Sequence, residues 1–97
     1  MKRNEAIRIL HEQQKELMDK YHVISLSLFG SVARDEARPD SDVNLLVKFA
    51  RPTGLSLFLD LKKRLEALFG CKVDMGKPRS LRPQVKARVL REAIRVF

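Results

Sequence analysis

The sequence predicts an α/β fold: a small mixed sheet of three or more strands packed by helices. Three observations carry this. Two runs, Val23–Phe29 and Asp42–Phe49, alternate or stay apolar over strand-like lengths. Two longer stretches, 4–21 and 55–69, repeat apolar residues at helical spacing. Glycine and proline fall between these runs and not inside them, at Gly30, Pro39, Pro52, Gly54, Gly70 and Pro83.

The elements follow in order. Residues 4–21 form an amphipathic helix with Ile7, Leu10, Gln14, Leu17, Met18 and Tyr21 near one stripe and Asn4 as a fair N-cap. Tyr21 and the methionines are assigned to the core. Strand one is Val23–Phe29, with Ile24, Leu26 and Leu28 on one face. A short helix starts at Ser31, which suits an N-cap. Arg38-Pro39-Asp40-Ser41 is a turn, and Asp42–Phe49 is strand two. Val43, Leu45, Val47 and Phe49 share one of its faces; Asp42, Asn44, Leu46 and Lys48 share the other. Leu55–Phe69 is a long helix with Phe58, Leu61, Leu65 and Leu68 at helical spacing, stopped by Gly70. Cys71–Met75 is strand three. Pro83 opens the last helix, whose apolar side holds Val85, Val89, Leu90, Ala93, Ile94 and Phe97.

The chemistry-bearing residues lie at the strand ends. Gly30 lets backbone approach a ligand without a Cβ in the way. Strand, Gly30-Ser31 and helix start make a plausible anion cradle. Asp42 and Asn44 point to the same side of strand two, with Cα atoms roughly 6.5–7 Å apart. Two oxygen-bearing side chains so placed can share a hard cation such as magnesium. Asp74 on strand three can complete the cluster and accept a proton. Read singly, each part is better taken as ordinary: a strand-to-helix turn, a turn cap with a solvated Asn44, a surface Asp beside a turn.

Together the residues resemble a family. Gly30-Ser31, ten residues, Asp42-x-Asn44, then a helix and Asp74 are similar to the minimal nucleotidyltransferases of the DNA polymerase β superfamily. The nearer resemblance is to the MNT antitoxins encoded beside HEPN ribonuclease toxins. It rests on the run from Phe29 to Asp42, on Gly54-Leu-Ser-Leu-Phe58, on Val73-Asp74, and on Ser80-Leu81-x-Pro83 through Phe97. The resemblance implies a nucleotidyltransferase fold and AMP transfer from ATP to a hydroxyl, in the antitoxin branch a tyrosine of the toxin. It implies ATP and two magnesium ions as substrate and cofactor. Gly30, Ser31, Arg34 and Ser41 are the implied nucleotide-binding residues. Asp42, Asn44 and Asp74 are the implied metal ligands and catalytic residues. Two departures stand out. Asp35 occupies a position that is often Gly in the family, and the turn is expected to tolerate it. Asn44 replaces an Asp and offers one carbonyl oxygen without charge. Metal affinity and rate are expected to fall, and an inactive antitoxin that acts by contact is the alternative.

Composition narrows the classes. Ninety-seven residues suit one domain spanning 1–97. No apolar run approaches the roughly 20 residues of a membrane span, and no secretory h-region is visible. Cys71 is the one cysteine, which excludes a disulfide framework and suits a buried thiol in a cytoplasmic protein. The net charge is +8, concentrated at the end: residues 76–97 carry seven Lys/Arg against Glu92. Such a tail attracts triphosphate, RNA or an acidic partner, or is a solvated helix face. Lys77 and Arg79, just after Asp74, are the cations expected to face ligand. No aromatic residue interleaves with the basic ones, so direct nucleic-acid binding is not expected. His11 and His22 are expected at helix positions without catalytic roles. With no second domain to hold an acceptor, a partner protein is expected to supply it, in a hetero-oligomer; Phe58, Ile94 and Phe97 are candidates for a partner-facing patch, though burial in this chain's own core is the stronger reading for them.

Overall fold

A computed structural model describes residues 1–77 and 81–97. Its elements are α1 (Arg3–Glu12), α2 (Gln14–Tyr21), β1 (Val23–Phe29), α3 (Gly30–Ala33), β2 (Val43–Phe49), α4 (Leu55–Phe69), β3 (Val73–Gly76), α5 (Pro83–Glu92) and β4 (Ile94–Arg95). The four strands form one mixed sheet in the order β3-β2-β1-β4. β1 runs antiparallel to both β2 and β4, while β2 and β3 are parallel. The parallel pair needs a crossover, and α4 supplies it.

The core forms where apolar strand faces meet helix stripes. Val43, Leu45 and Val47 are fully buried, as are Leu10 of α1 and Leu65 of α4. Leu17, Tyr21, Leu26, Leu28 and Leu61 join the same cluster. Burying each large apolar side chain contributes about 1.5–3 kcal/mol. α4 begins and ends where its sequence predicts. Gly70 stops it in the left-handed region at φ 71°, a conformation glycine adopts without strain.

Several expectations are corrected. The helix expected over 4–21 is two helices, broken at Gln13, whose N–H is shared between the carbonyls of Ile9 and Leu10. That sharing tightens the turn and redirects α2. Met18 is 40% exposed, so it lies outside the core that Tyr21 joins. Ile24 does not share the face of Leu26 and Leu28. The β1 register shifts between Val23 and Ser25, which turns Val23 inward and leaves Ile24 42% exposed. The last helix ends at Glu92. Ile94 and Arg95 leave it to pair with β1 as β4, and Val96 N–H donates to Leu26 O at 2.8 Å. β2 starts at Val43 and β3 at Val73 because their ladder begins with that pair.

Candidate functional site: the Gly30, Asn44 and Asp74 face

The sheet register brings three expected residues side by side. Asn44 pairs with Asp74 on β3 and faces Phe29 on β1, the residue before Gly30. Adjacent strands lie about 4.7–4.9 Å apart, so Asn44 and Asp74 are immediate neighbours. Asp42 precedes β2 by one residue and has the parity of Asn44. Asp42 and Asp74 are exposed and Asn44 is half-buried. Beyond them Leu46 is buried although it shares the Asn44 face, so the polar part of that face is confined to the Asp42–Asn44 end.

Gly30 shapes the other side. Its φ is 77°, and a Cβ built there would lie 2.5 Å from Asn44 Nδ2 and 3.2 Å from its Cγ. The turn is therefore tight against Asn44, whose amide already occupies the space a side chain would need. α3 starts at Gly30, with Phe29 at the N-cap and no side-chain capping bond, so Ser31 does not cap it as expected.

Two expected nucleotide-binding residues are otherwise engaged. Arg34 Nε donates to Glu36 at 3.2 Å, and Nη1 donates to Glu92 on α5 at 3.3 Å. Ser41 Oγ accepts from Arg38 N–H at 2.9 Å and closes the Arg38–Ser41 turn. Lys77 does not join the acidic face. Its ammonium sits 5.4 and 5.7 Å from the ring centroids of Phe49 and Phe58, a cation–π arrangement at the far end of β2 and β3. Lys77 and Phe58 there line a cleft of about 390 Å³ with Thr53, Leu55 and Met75. Arg79 and Ser80 lie outside the described residues. Ile94 and Phe97 pack against the core.

The remaining singled-out groups have structural positions. His11 Nε2 donates to Val96 O at 2.6 Å and ties α1 to the chain's end. His22 is the left-handed C-cap of α2 and accepts from Arg51 at 2.6 Å. Cys71 is half-buried, and burial pushes its thiol up from its ordinary value.

Sequence reasoning missed Asp35 as a structural group. It stands at φ 59°, in the left-handed region that favours glycine. Its Oδ1 accepts the N–H of Arg3, the first residue of α1, at 3.0 Å. It also missed Glu92 as the partner of Arg34. The signals were faint: one acid in a basic tail, and an Asp in a turn.

The donor set consists of two carboxylates and one amide oxygen. Among the described residues, no three His, Cys, Asp or Glu side chains could together hold a metal ion.

Comparison with known proteins decides the family. The nucleotidyltransferase domain family matches residues 10–96. The chain belongs to the nucleotidyltransferases. It is similar to the protein adenylyltransferase MntA of Thermococcus cleftensis, 41% identical over 88 residues that cover 91% of this chain and 89% of that protein. A solved structure assigned as a minimal nucleotidyltransferase superposes with a TM-score of 0.80 at 41% identity, covering 97% of this chain and 95% of that one. A Shewanella oneidensis MNT antitoxin complex with a tri-AMPylated HEPN toxin gives a TM-score of 0.66 at 16% identity, over 94% of this chain and 71% of that chain. At that identity the likeness is one of fold. No helix among the described residues is long and apolar enough to cross a membrane.

Proposed function

We propose that this nucleotidyltransferase is a protein adenylyltransferase of the antitoxin kind, moving AMP from ATP to a tyrosine hydroxyl of a HEPN ribonuclease. The observation that carries the reading is the 41% identity to an adenylyltransferase across nearly the whole chain. The juxtaposition of Gly30, Asn44 and Asp74 supports it.

The residues divide the work. Gly30, which turns tightly against Asn44, and Ser31 after it present backbone N–H groups to the triphosphate. Arg34 reaches the phosphates once it gives up two partly exposed ion pairs, each of small worth. Asp42, Asn44 and Asp74 offer oxygens that fit magnesium, and Mg2+ bound there would neutralise charge on the phosphates and on the attacking oxygen. Asp74 takes the acceptor's proton. The hydroxyl oxygen bonds to the α-phosphorus as its bond to the pyrophosphate oxygen breaks, and pyrophosphate leaves. Asn44 brings no charge to this face, so turnover is slow, because such transfers depend on electrostatics and positioning.

Asn44 also favours a second reading, an antitoxin that neutralises by contact alone. One experiment separates them. Label transfer from ATP to a HEPN ribonuclease is measured with magnesium for wild type, Asn44→Asp and Asp42→Ala. The enzymatic reading expects label from Asn44→Asp, less from wild type and none from Asp42→Ala. No label from Asn44→Asp ends it. Neutralisation that survives Asp42→Ala supports the contact reading.

A further inference from the structure

Helix α5 has an unusual position. Along its length Val89 is the one residue classed as buried. Val85 lies one turn earlier on the same stripe, at i and i+4, yet is 44% exposed. The N-terminal half of α5 therefore projects past the surface that covers Val89. Leu90, on the flank, is 51% exposed. A helix that served only as a solvated face would carry polar side chains at both places.

Its charge is one-sided. Arg82, Lys86, Arg88 and Arg91 are exposed. Glu92 is taken by Arg34 and Arg88. Among the described residues Arg82, Lys86 and Arg91 have no carboxylate partner. α5 also packs against α3, which carries Gly30.

We infer that α5 is the docking helix for the acceptor protein, which wraps the helix with apolar contacts to Val85 and to Leu90, about 140° apart around its axis, and acidic residues for Lys86 between them and for Arg91 beyond Leu90. The inference rests on the reading that a partner protein supplies the acceptor hydroxyl. Cations on α5 call for an acidic partner, and complementary charge steers association. The exposed aliphatic side chains favour protein over RNA. They gain from apolar contacts and nothing from phosphate, and α5 carries no aromatic residue on which a base could stack. Because α5 adjoins α3, a partner held there lies beside the phosphate cradle.

The test uses the intact chain and a HEPN ribonuclease that it binds or labels. Affinity is measured by calorimetry for wild type, Val85→Glu/Leu90→Glu and Lys86→Glu/Arg91→Glu, with ATP affinity and circular dichroism alongside. The apolar variant is expected to weaken partner binding by at least about tenfold, as for a buried hot spot. The charge variant is expected to weaken it and flatten its salt dependence. ATP affinity is expected to stay near the wild-type value in both. If both variants keep wild-type partner affinity, the inference fails while the adenylyltransferase reading stands. It also fails if the charge variant loses only binding to a short oligouridylate, which marks α5 as an RNA surface. If wild type binds and labels no HEPN ribonuclease, the functional reading falls and takes this inference with it.

Discussion

Asn44 occupies the space that a side chain on residue 30 would need. A Cβ there would come within 2.5 Å of Asn44 Nδ2, and the backbone of Gly30 is left-handed at φ 77°. Two independent requirements select glycine at one position: the conformation and the close approach. Asn44 is in turn fixed from its other side by pairing with Asp74. The turn after β1 and the acidic face of β2 and β3 are therefore one packed unit.

Replacing Gly30 with alanine tests that unit. The left-handed backbone costs of order 1–3 kcal/mol for a residue with a Cβ. The overlap must also push the Asn44 amide aside. Calorimetry is expected to find Gly30→Ala melting lower, by about 4–8 °C per kcal/mol for a chain of this size. ATP affinity is expected to fall with it. Wild-type melting and wild-type ATP affinity together would show that the turn is slack.

Asn44→Asp probes the charge of the site. A third carboxylate beside Asp42 and Asp74 repels its neighbours when no cation is present, so the variant is expected to melt below wild type in chelator. Magnesium relieves that repulsion by binding the folded state. The rise in melting temperature on adding magnesium is expected to be larger in Asn44→Asp than in wild type. An equal rise in both would mean that position 44 is not a ligand.

These contacts also mark what sequence can and cannot disclose. α4 and its Gly70 stop are legible because periodicity and a left-handed stop are local properties. Gly30, Asn44 and Asp74 could be nominated for the same reason: each sits at a strand end, and strand parity is local. β4 is not legible, since two residues become a strand only by pairing with Ser27 and Leu28 of β1. Arg34 reads as a free cation until Glu92, 58 residues further on, is brought beside it. The bulge that turns Ile24 outward depends on how β1 meets β2, and no residue type at Gln13 announces the break between α1 and α2.

Asp35 exchanges backbone strain for a distant cap. Lys2, at the N-cap of α1, makes no side-chain capping bond, and Asp35 Oδ1 accepts the Arg3 N–H in its place. The carboxylate also complements the positive end of the helix. Asp35→Ala keeps the strained conformation and loses the cap, for a cost of about 0.5–2 kcal/mol from the cap alone. Asp35→Gly loses the same bond but relaxes the backbone, so its midpoint in urea is expected between those of Asp35→Ala and wild type. Coincident midpoints for all three would remove the capping role.

The pair joining α2 to α4 should give stability a pH dependence of known sign. Arg64 Nε and Nη2 donate to the two Glu16 oxygens at 3.0 and 3.2 Å. Those hydrogen bonds hold the Glu16 carboxyl below its ordinary value, against the weaker opposing effect of burial. Unfolding breaks the pair and returns Glu16 to the ordinary carboxylate range. The folded value is thus the lower one, and the folded state binds this proton less readily than the unfolded chain. The contribution is fully present above the ordinary carboxylate range and is lost as pH falls through the folded value. Both side chains are partly exposed, so the contribution is small. Glu16→Gln is expected to melt below wild type near neutral pH, and the gap is expected to close as pH falls through the folded value of Glu16. A gap that persists unchanged into acid would assign the loss to packing between the helices and not to charge.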